Sequence, residues 1–263
     1  MNKKLNFYKY QGAGNDFILV DNRNSTFDSK NYDFIKNLCD RRFGIGADGL
    51  MLLQNIENYD FQMLYYNADG NEGTMCGNGG RCLVAFARDL GIIKNDTVFL
   101  AVDGKHDASI SEDQVNLGMI DVTTHSKDNE AFVLNTGSPH YVQFTENLQD
   151  LDVYTEGYKI RNNDTYAEKG INVNFIQKEG NGYFVRTFER GVEDETYACG
   201  TGAVASAMSV ALKEDIDGDI EIPIRVLGGQ LKVSFHKEGN QFTKVYLSGP
   251  ATQVFQGIIP DSQ

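Results

Sequence analysis

The sequence of 263 residues contains no tryptophan, only four prolines, four histidines and four cysteines, and fewer basic residues (24) than acidic ones (37). The formal charge of −13 argues against a nucleic acid or an anionic membrane as partner, because an acidic surface repels phosphate. None of the histidines has metal-ligand spacing with a cysteine, which argues against a metal site. We therefore expect a small-molecule substrate and no metal, and the chain could form a homodimer.

Long apolar runs and targeting signals are also lacking. The least polar run, residues 202–212, is much shorter than the roughly 20 apolar residues that a membrane-spanning helix needs. The N-terminal segment has two lysines without the apolar stretch of a secretory signal peptide. A cytoplasmic location is expected, where cysteines stay reduced. No CxxC pair of the kind found in zinc sites or thioredoxins is present.

Two Cys-Gly-x-Gly motifs indicate an internal duplication. Residues 75–86 read MCGNGGRCLVAF and residues 198–209 read ACGTGAVASAMS, which places Cys76 and Cys199 123 positions apart. The same shift superimposes other glycine turns and apolar segments of the two halves. Because a repeated Cys-Gly pair is rare, chance is a poor explanation of the alignment. We predict an N-terminal lobe over 1–120, a C-terminal lobe over 121–250, and a tail over 251–263 that could pack back on the N-terminal lobe.

Short segments rich in β-branched and aromatic residues predict an α+β fold with few helices. Helices are expected over 30–42 and after each Cys-Gly-x-Gly turn, ending near Gly91 and Lys213. Each lobe would be a mostly antiparallel β-sheet wrapped round a central helix, with the active site in the cleft between two pseudo-symmetric lobes. The predicted strands are 17–21, 50–54, 61–66, 97–103, 172–177, 182–188 and 244–249.

The two cysteines in glycine turns suggest acid/base chemistry. Unpaired backbone N–H groups at a helix N-terminus bind anions and stabilise a thiolate. Two such thiols on opposite sides of a tetrahedral carbon could remove a proton from one face and return one to the other, without pyridoxal phosphate. A core-packing role, the usual one for cysteine, is favoured instead for Cys39 and Cys82, which lie within helical segments.

The GIGADG segment at 44–49 matches GxGxxG, the dinucleotide-binding pattern. It follows a helical segment and precedes a strand, which reverses the strand-turn-helix order that dinucleotide binding requires. A nicotinamide cofactor is therefore not expected.

Seven segments together resemble the diaminopimelate epimerase family along nearly the whole chain. The resemblance implies a cofactor-independent epimerase of that family's fold, converting LL-2,6-diaminopimelate to the meso form in lysine and peptidoglycan precursor synthesis. The segments are GAGNDF (12–17), RRFGIGADG (41–49), YNADGNEGTMCGNGGRC (66–82), NTGSPH (135–140), INVNF (171–175), ERGVEDETYACGTGA (189–203) and LSGPA (247–251).

The resemblance also implies roles for individual residues. Cys76 and Cys199 correspond to the two acid/base thiols, with His140 and Glu189 beside them to assist proton transfer. The loops that hold the reacting carboxylate through backbone N–H groups correspond to Gly77, Asn78, Gly200 and Thr201. The residues that bind the distal amino-acid end of the substrate correspond to Asn15, Asn67, Asn172, Glu189 and Arg190.

Three features depart from the usual family pattern: Ser138 before Pro-His, Gly49, and one additional residue at Glu193-Asp194. Two alternative functions stay open. An isomerase or racemase of the same superfamily could act on another acid, in which case Glu189 and Arg190 would not affect substrate affinity. A thiol redox or binding protein could instead use Cys76 and Cys199 to form a regulated disulfide.

Overall fold

A computed structural model gives the structure of the chain and describes residues 4–260. The first half, in chain order, contains β1 (Lys4–Gly12), β2 (Asn15–Asp21), α1 (Tyr32–Cys39), β3 (Gly49–Gln54), β4 (Gln62–Asn67), α2 (Gly77–Asp89), β5 (Asp96–Ala101), β6 (Gly104–Ser111) and β7 (Gln114–Gly118). The second half contains β8 (His125–Asp128), β9 (Ala131–Asn135), β10 (Pro139–Phe144), α3 (Val153–Arg161), β11 (Asn172–Glu179), β12 (Gly182–Glu189), β13 (Asp194–Thr196), α4 (Gly200–Lys213), β14 (Gly218–Val226), β15 (Gly229–Glu238), β16 (Gln241–Pro250) and β17 (Thr252–Pro260). These elements form two compact units, residues 4–117 with 250–260 and residues 118–249.

The first unit is built round α2. Strand β1 pairs antiparallel with β2 and with the C-terminal strand β17, and β5, β6 and β7 form an antiparallel meander. The first eleven residues of α2 are buried, and the helix packs on β1, β2, β3 and β6. A second apolar cluster, on the other side of these strands, contains Ile18, Val20, Ile35, Leu38 and Leu52.

The second unit is built round α4 in the same way. Its strands β14, β15 and β16 form an antiparallel meander, and α4 packs on β10, β11, β14 and β15. Nearly all of α4 is buried, from Gly200 to Ala211 with the exception of Thr201. The helix α3 covers β11 and β12, where Val153, Val173 and Phe188 belong to one apolar cluster.

The structure confirms the α+β class and supports the duplication. In the parallel pair β2–β3, Phe17 lies opposite Gly49, and in the parallel pair β10–β11, His140 lies opposite Asn172. Each residue of the second pair lies 123 positions after its counterpart in the first pair, the same shift that relates the two cysteines. The sheets are mostly antiparallel, but each unit also has two parallel pairs joined by a helical crossover, as the connection of parallel strands requires.

Candidate active site

Both central helices begin at a cysteine with the same backbone conformation. Cys76 is the N-cap of α2 with φ −113° and ψ 115°, and Cys199 is the N-cap of α4 with φ −114° and ψ 110°. Each cysteine carbonyl accepts the first helical hydrogen bond, from Gly80 N–H at 2.7 Å and from Ala203 N–H at 2.9 Å. The N–H groups of the first turn have no acceptor within the helix, so each helix start can bind an anion.

The first turn of α2 packs closely against two methionines at its glycines. A Cβ added at Gly79 would lie 1.7 Å from Met51 Cε, and one at Gly80 would lie 2.6 Å from Met75 Cε. The helix start therefore packs closely against the ends of these methionine side chains, which a larger residue would displace. At the start of α4, a Cβ on Gly202 would lie 2.3 Å from Asn174 Oδ1 and 3.3 Å from Cys199 Sγ.

Asn15 presents a hydrogen-bond acceptor to Cys76. Its Nδ2 donates to Asp48 Oδ2 at 2.5 Å, and because a carboxylate only accepts, the amide orientation is fixed. Its Oδ1 then accepts from Asn78 Nδ2 at 3.3 Å and faces Cys76 Sγ at 3.8 Å. Asp48 is held in place by Arg41, whose Nη2 lies 2.7 Å from Oδ1.

A chain of buried polar groups leads to Cys199 in the second unit. Asn174 Nδ2 donates to the Tyr141 carbonyl at 3.1 Å, which fixes this amide as well, and it also donates to His140 Nδ1 at 3.1 Å. His140 Nδ1 is thus an acceptor, so the proton of the neutral ring is on Nε2. That N–H donates to Thr201 Oγ1 at 2.9 Å, and the Thr201 hydroxyl lies 3.5 Å from Cys199 Sγ, to which it can donate when the sulfur is ionised.

Burial keeps His140 neutral. The side chain is fully buried, and desolvation, with a further contribution from the positive charge of Arg190, lowers the pKa of His140 to about 3. An imidazole in this state cannot take up a proton near neutral pH. Its Nε2–H instead donates to the Thr201 hydroxyl, which in turn contacts Cys199 Sγ. The far end of the chain is closed by Thr187, whose hydroxyl donates to Asn174 Oδ1 at 3.0 Å.

The residues assigned to the distal end of the substrate in this unit form a second network. Asn172 Nδ2 donates to Ser138 Oγ at 2.8 Å, and Asn172 Oδ1 accepts from Arg190 N–H at 2.9 Å. The Arg190 side chain reaches Ser138 Oγ at 3.4 Å. Glu189, at the end of β12, accepts from Thr196 Oγ1 at 2.9 Å. The structure thus brings together Ser138, Asn172 and Arg190, and Ser138 takes a direct part in the network.

The other departures from the family pattern also have structural explanations. Gly49 pairs with Asn67 across β3 and β4, and a Cβ at Gly49 would lie 2.5 Å from the Tyr66 carbonyl oxygen. Only glycine fits there. Asn67 itself is exposed at the end of β4. The additional residue is accommodated in the turn before β13, where Glu193 has φ 59° and its carboxylate accepts from Arg161 Nε at 3.2 Å.

Cys39 and Cys82 differ from the two helix-cap cysteines. Both are buried, and desolvation raises the pKa of each thiol to about 12, so they stay protonated near neutral pH. This agrees with the packing role expected for them.

Several groups of the site were missed by sequence reasoning: Asp48, Arg81, Asn174 and Thr187. The last two have a signal in the sequence, because they place polar side chains inside strands that are otherwise apolar.

Among residues 4–260 no cluster of three His, Cys, Asp or Glu side chains could hold a metal ion. Within the same range no helix is long and apolar enough to cross a membrane.

Comparison with solved structures defines the fold class of the protein. The structure resembles a phenazine biosynthesis protein of the PhzF family from Bacillus anthracis, with a TM-score of 0.75 at 14% identity over 98% of this chain and 100% of that one. It also resembles a hydroxyproline epimerase from Agrobacterium vitis, with a TM-score of 0.72 at 12% identity over 100% of this chain and 95% of that one. At such identities the likeness shows a shared fold, that of the PhzF and hydroxyproline epimerase group.

The sequence comparison narrows this class to one family. The diaminopimelate epimerase family model matches residues 7–125 and 132–254. The chain is 54% identical to the diaminopimelate epimerase of Flavobacterium psychrophilum over 97% of this chain and 100% of the relative, and 43% identical to that of Chlorobaculum tepidum over 94% and 98%. The chain therefore belongs to the diaminopimelate epimerase family, whose enzymes need no pyridoxal phosphate.

Proposed function

We propose that the chain converts LL-2,6-diaminopimelate to meso-2,6-diaminopimelate with Cys76 and Cys199 as the acid/base pair. The observation that carries the proposal is that two helices of the same design each begin at one of these cysteines, in a chain of this family. Inverting a tetrahedral carbon needs a base on one face and an acid on the other. The two thiols supply both groups when substrate lies between them.

In the proposed reaction, the thiolate of one cysteine removes the proton from the substrate Cα. The electron pair of the broken C–H bond moves into the carboxylate, which gains a second negative charge. The backbone N–H groups of the two helix starts, at Gly77, Asn78, Gly200 and Thr201, stabilise this charge. The thiol of the other cysteine then donates its proton to the opposite face, so that the product leaves with the thiol and thiolate exchanged.

The polar chain in the second unit supports the role of Cys199. A hydroxyl that donates to sulfur favours the thiolate over the thiol. When Cys199 is a thiolate its sulfur can only accept, so the Thr201 hydroxyl, which accepts from the neutral His140, donates to it. His140 therefore acts on Cys199 through Thr201, as a fixed donor.

The second network supports recognition of the distal amino-acid end. That end carries one carboxylate and one ammonium group, which Arg190 and Glu189 complement in charge. Asn172 links the Arg190 backbone to Ser138, which holds this region in one arrangement. Asn15 and Asn67 of the first unit would contribute further amide contacts.

The test is to incubate the reduced protein with LL-diaminopimelate and, separately, with L-proline, and to follow the stereochemistry by chromatography. We expect inversion of diaminopimelate only, and a large loss of activity in Cys76→Ala and in Cys199→Ala. Inversion of proline, or full activity in either alanine variant, would contradict the proposal. If Glu189→Gln and Arg190→Met leave KM for diaminopimelate unchanged, the substrate assignment is wrong.

The location and partners belong to the same proposal. All four cysteines are thiols, which supports a cytoplasmic location. The charge of −13 supports a small-molecule partner and disfavours nucleic acid. A homodimer is proposed as well, and sedimentation equilibrium decides between it and a monomer.

A further inference from the structure

Arg81 is a fully buried cation close to the start of α2. Its Nη2 donates to Asn78 Oδ1 at 3.1 Å and its Nη1 lies 3.4 Å from the Gly77 carbonyl, so the guanidinium group points back toward Cys76. The side chain is 0% exposed, and its Nε has no hydrogen-bond partner. Among residues 4–260 no carboxylate forms an ion pair with it, and the ionisable groups that interact with it electrostatically are the thiols of Cys76 and Cys82.

The cation is not required by the fold. A buried charge without a partner destabilises a protein, and replacing buried ions with apolar residues is often neutral or stabilising. The shift of 123 residues places Val204 at the position equivalent to Arg81, and Val204 is also 0% exposed. The same helix in the second unit is therefore built with an apolar side chain at this point.

The surroundings of Arg81 leave it facing the helix start. The backbone of β1 covers it at Gly12, where an added Cβ would be in contact with Arg81 Nη2 at 3.4 Å. Cys82 stays a neutral thiol, since burial raises its pKa to about 12. The carboxylates of the neighbouring β2 and β3 region, Asp16 and Asp48, are bound by Lys9 and Arg41 instead.

We propose that Arg81 is the counter-charge for the anions that form at the start of α2. These anions are the Cys76 thiolate and the substrate carboxylate held by the Gly77 and Asn78 amides, and Arg81 acts on them as a positioning residue through its hydrogen bonds to this turn. The inference rests on the proposed function. It makes the two sites unlike: Cys76 has a cation beneath it, whereas Cys199 has the neutral donor Thr201.

The experiment compares Arg81→Val, which copies the sister helix, with the charge-retaining Arg81→Lys. Arg88→Val is the matched control, because Arg88 lies in the last turn of the same helix and pairs with Asp89 on the surface. Alkylation of Cys76 by iodoacetate or by iodoacetamide at pH 7 is measured in a Cys199→Ala background, with the site of modification located by mass spectrometry. Thermal unfolding is measured on the same variants, and kcat and KM on their counterparts that retain Cys199.

We expect Arg81→Val to lower the alkylation rate of Cys76 by iodoacetamide at least tenfold, with an unchanged or higher Tm and a fall in kcat of about a hundredfold. Arg81→Lys should recover part of the alkylation rate and part of kcat, and Arg88→Val should change neither of these two quantities. In Arg81→Val the alkylation rate should fall more with the negatively charged iodoacetate than with neutral iodoacetamide, because the lost cation also attracts the anionic reagent.

An unchanged alkylation rate in Arg81→Val, or a lower Tm with no recovery in Arg81→Lys, would overturn the proposal. Absence of epimerase activity in the unsubstituted protein would instead refute the proposed function, while the alkylation result would still decide the role of Arg81.

Discussion

Replacing Thr201 with valine isolates the hydrogen bond to Cys199 with little change in side-chain shape. The substitution removes the hydroxyl that lies 3.5 Å from Cys199 Sγ and 2.9 Å from His140 Nε2. A hydrogen bond to a charged group contributes roughly 1.5–3 kcal/mol, which corresponds to about a 10- to 150-fold effect on a rate. We therefore expect kcat for diaminopimelate to fall by roughly this factor, with a smaller change in KM.

The same substitution should reduce stability by a separate route. His140 Nε2–H is fully buried and would lose its acceptor, which costs roughly 1–3 kcal/mol of the free energy of unfolding. Urea denaturation measures this loss, and alkylation of Cys199 in a Cys76→Ala background measures the loss of thiolate. Thr201→Ser keeps the hydroxyl and is the control, expected to stay near the unsubstituted protein. Unchanged kcat and unchanged alkylation in Thr201→Val would refute the relay from His140 to Cys199.

Three further predictions follow from the same contacts. The pKa of His140 is about 3 in the folded chain and 6.5 ordinarily, so between these pH values the unfolded chain binds a proton that the folded chain does not, and the free energy of unfolding should fall by up to about 1.4 kcal/mol per pH unit as pH drops from 6.5 toward 3. In His140→Gln the free energy of unfolding should depend less steeply on pH, and an equal dependence would contradict the burial argument. Gly49→Ala should destabilise the protein by about 1–3 kcal/mol in urea, because the new Cβ would lie 2.5 Å from the Tyr66 carbonyl; a loss below about 0.5 kcal/mol would show that the strands separate easily. Arg190→Lys, which keeps the charge but loses the planar guanidinium, should raise KM at least fivefold with a smaller effect on kcat, and an unchanged KM would place the distal end of the substrate elsewhere.

The sequence predicted the parts of the structure that depend on local signals. The two Cys-Gly-x-Gly turns start α2 and α4, because a glycine-rich N-terminus followed by small apolar residues specifies a buried helix. Helix α3 was missed, since only Val153 and Gly157 are buried in it and its apolar periodicity is weak. The parallel pairs were missed as well, because a parallel pairing depends on the path of the crossover and leaves no local pattern.

The candidate site divides in the same way. The resemblance to a family supplied Cys76, Cys199 and His140, but not the direction of the hydrogen bonds between them. The direction of the His140 hydrogen bond depends on Asn174, whose polar side chain is unusual in an apolar strand but whose amide orientation is fixed only by the Tyr141 carbonyl. Arg81 could not be found from sequence, because an arginine in an amphipathic helix is usually exposed and its burial depends on the packing of α2 against β1.

The central claim is that two thiols act on opposite faces of one carbon, and an initial-rate reaction in D₂O tests it most directly. Each thiol exchanges its proton with solvent, so the acid delivers deuterium to the product while the base removes hydrogen from the substrate. The account predicts that, early in the reaction, meso-diaminopimelate carries deuterium at the inverted Cα and the remaining LL-diaminopimelate carries none, as measured by NMR and mass spectrometry of the separated isomers. Product that retains the substrate's own hydrogen would show that a single base serves both faces, and would contradict the account.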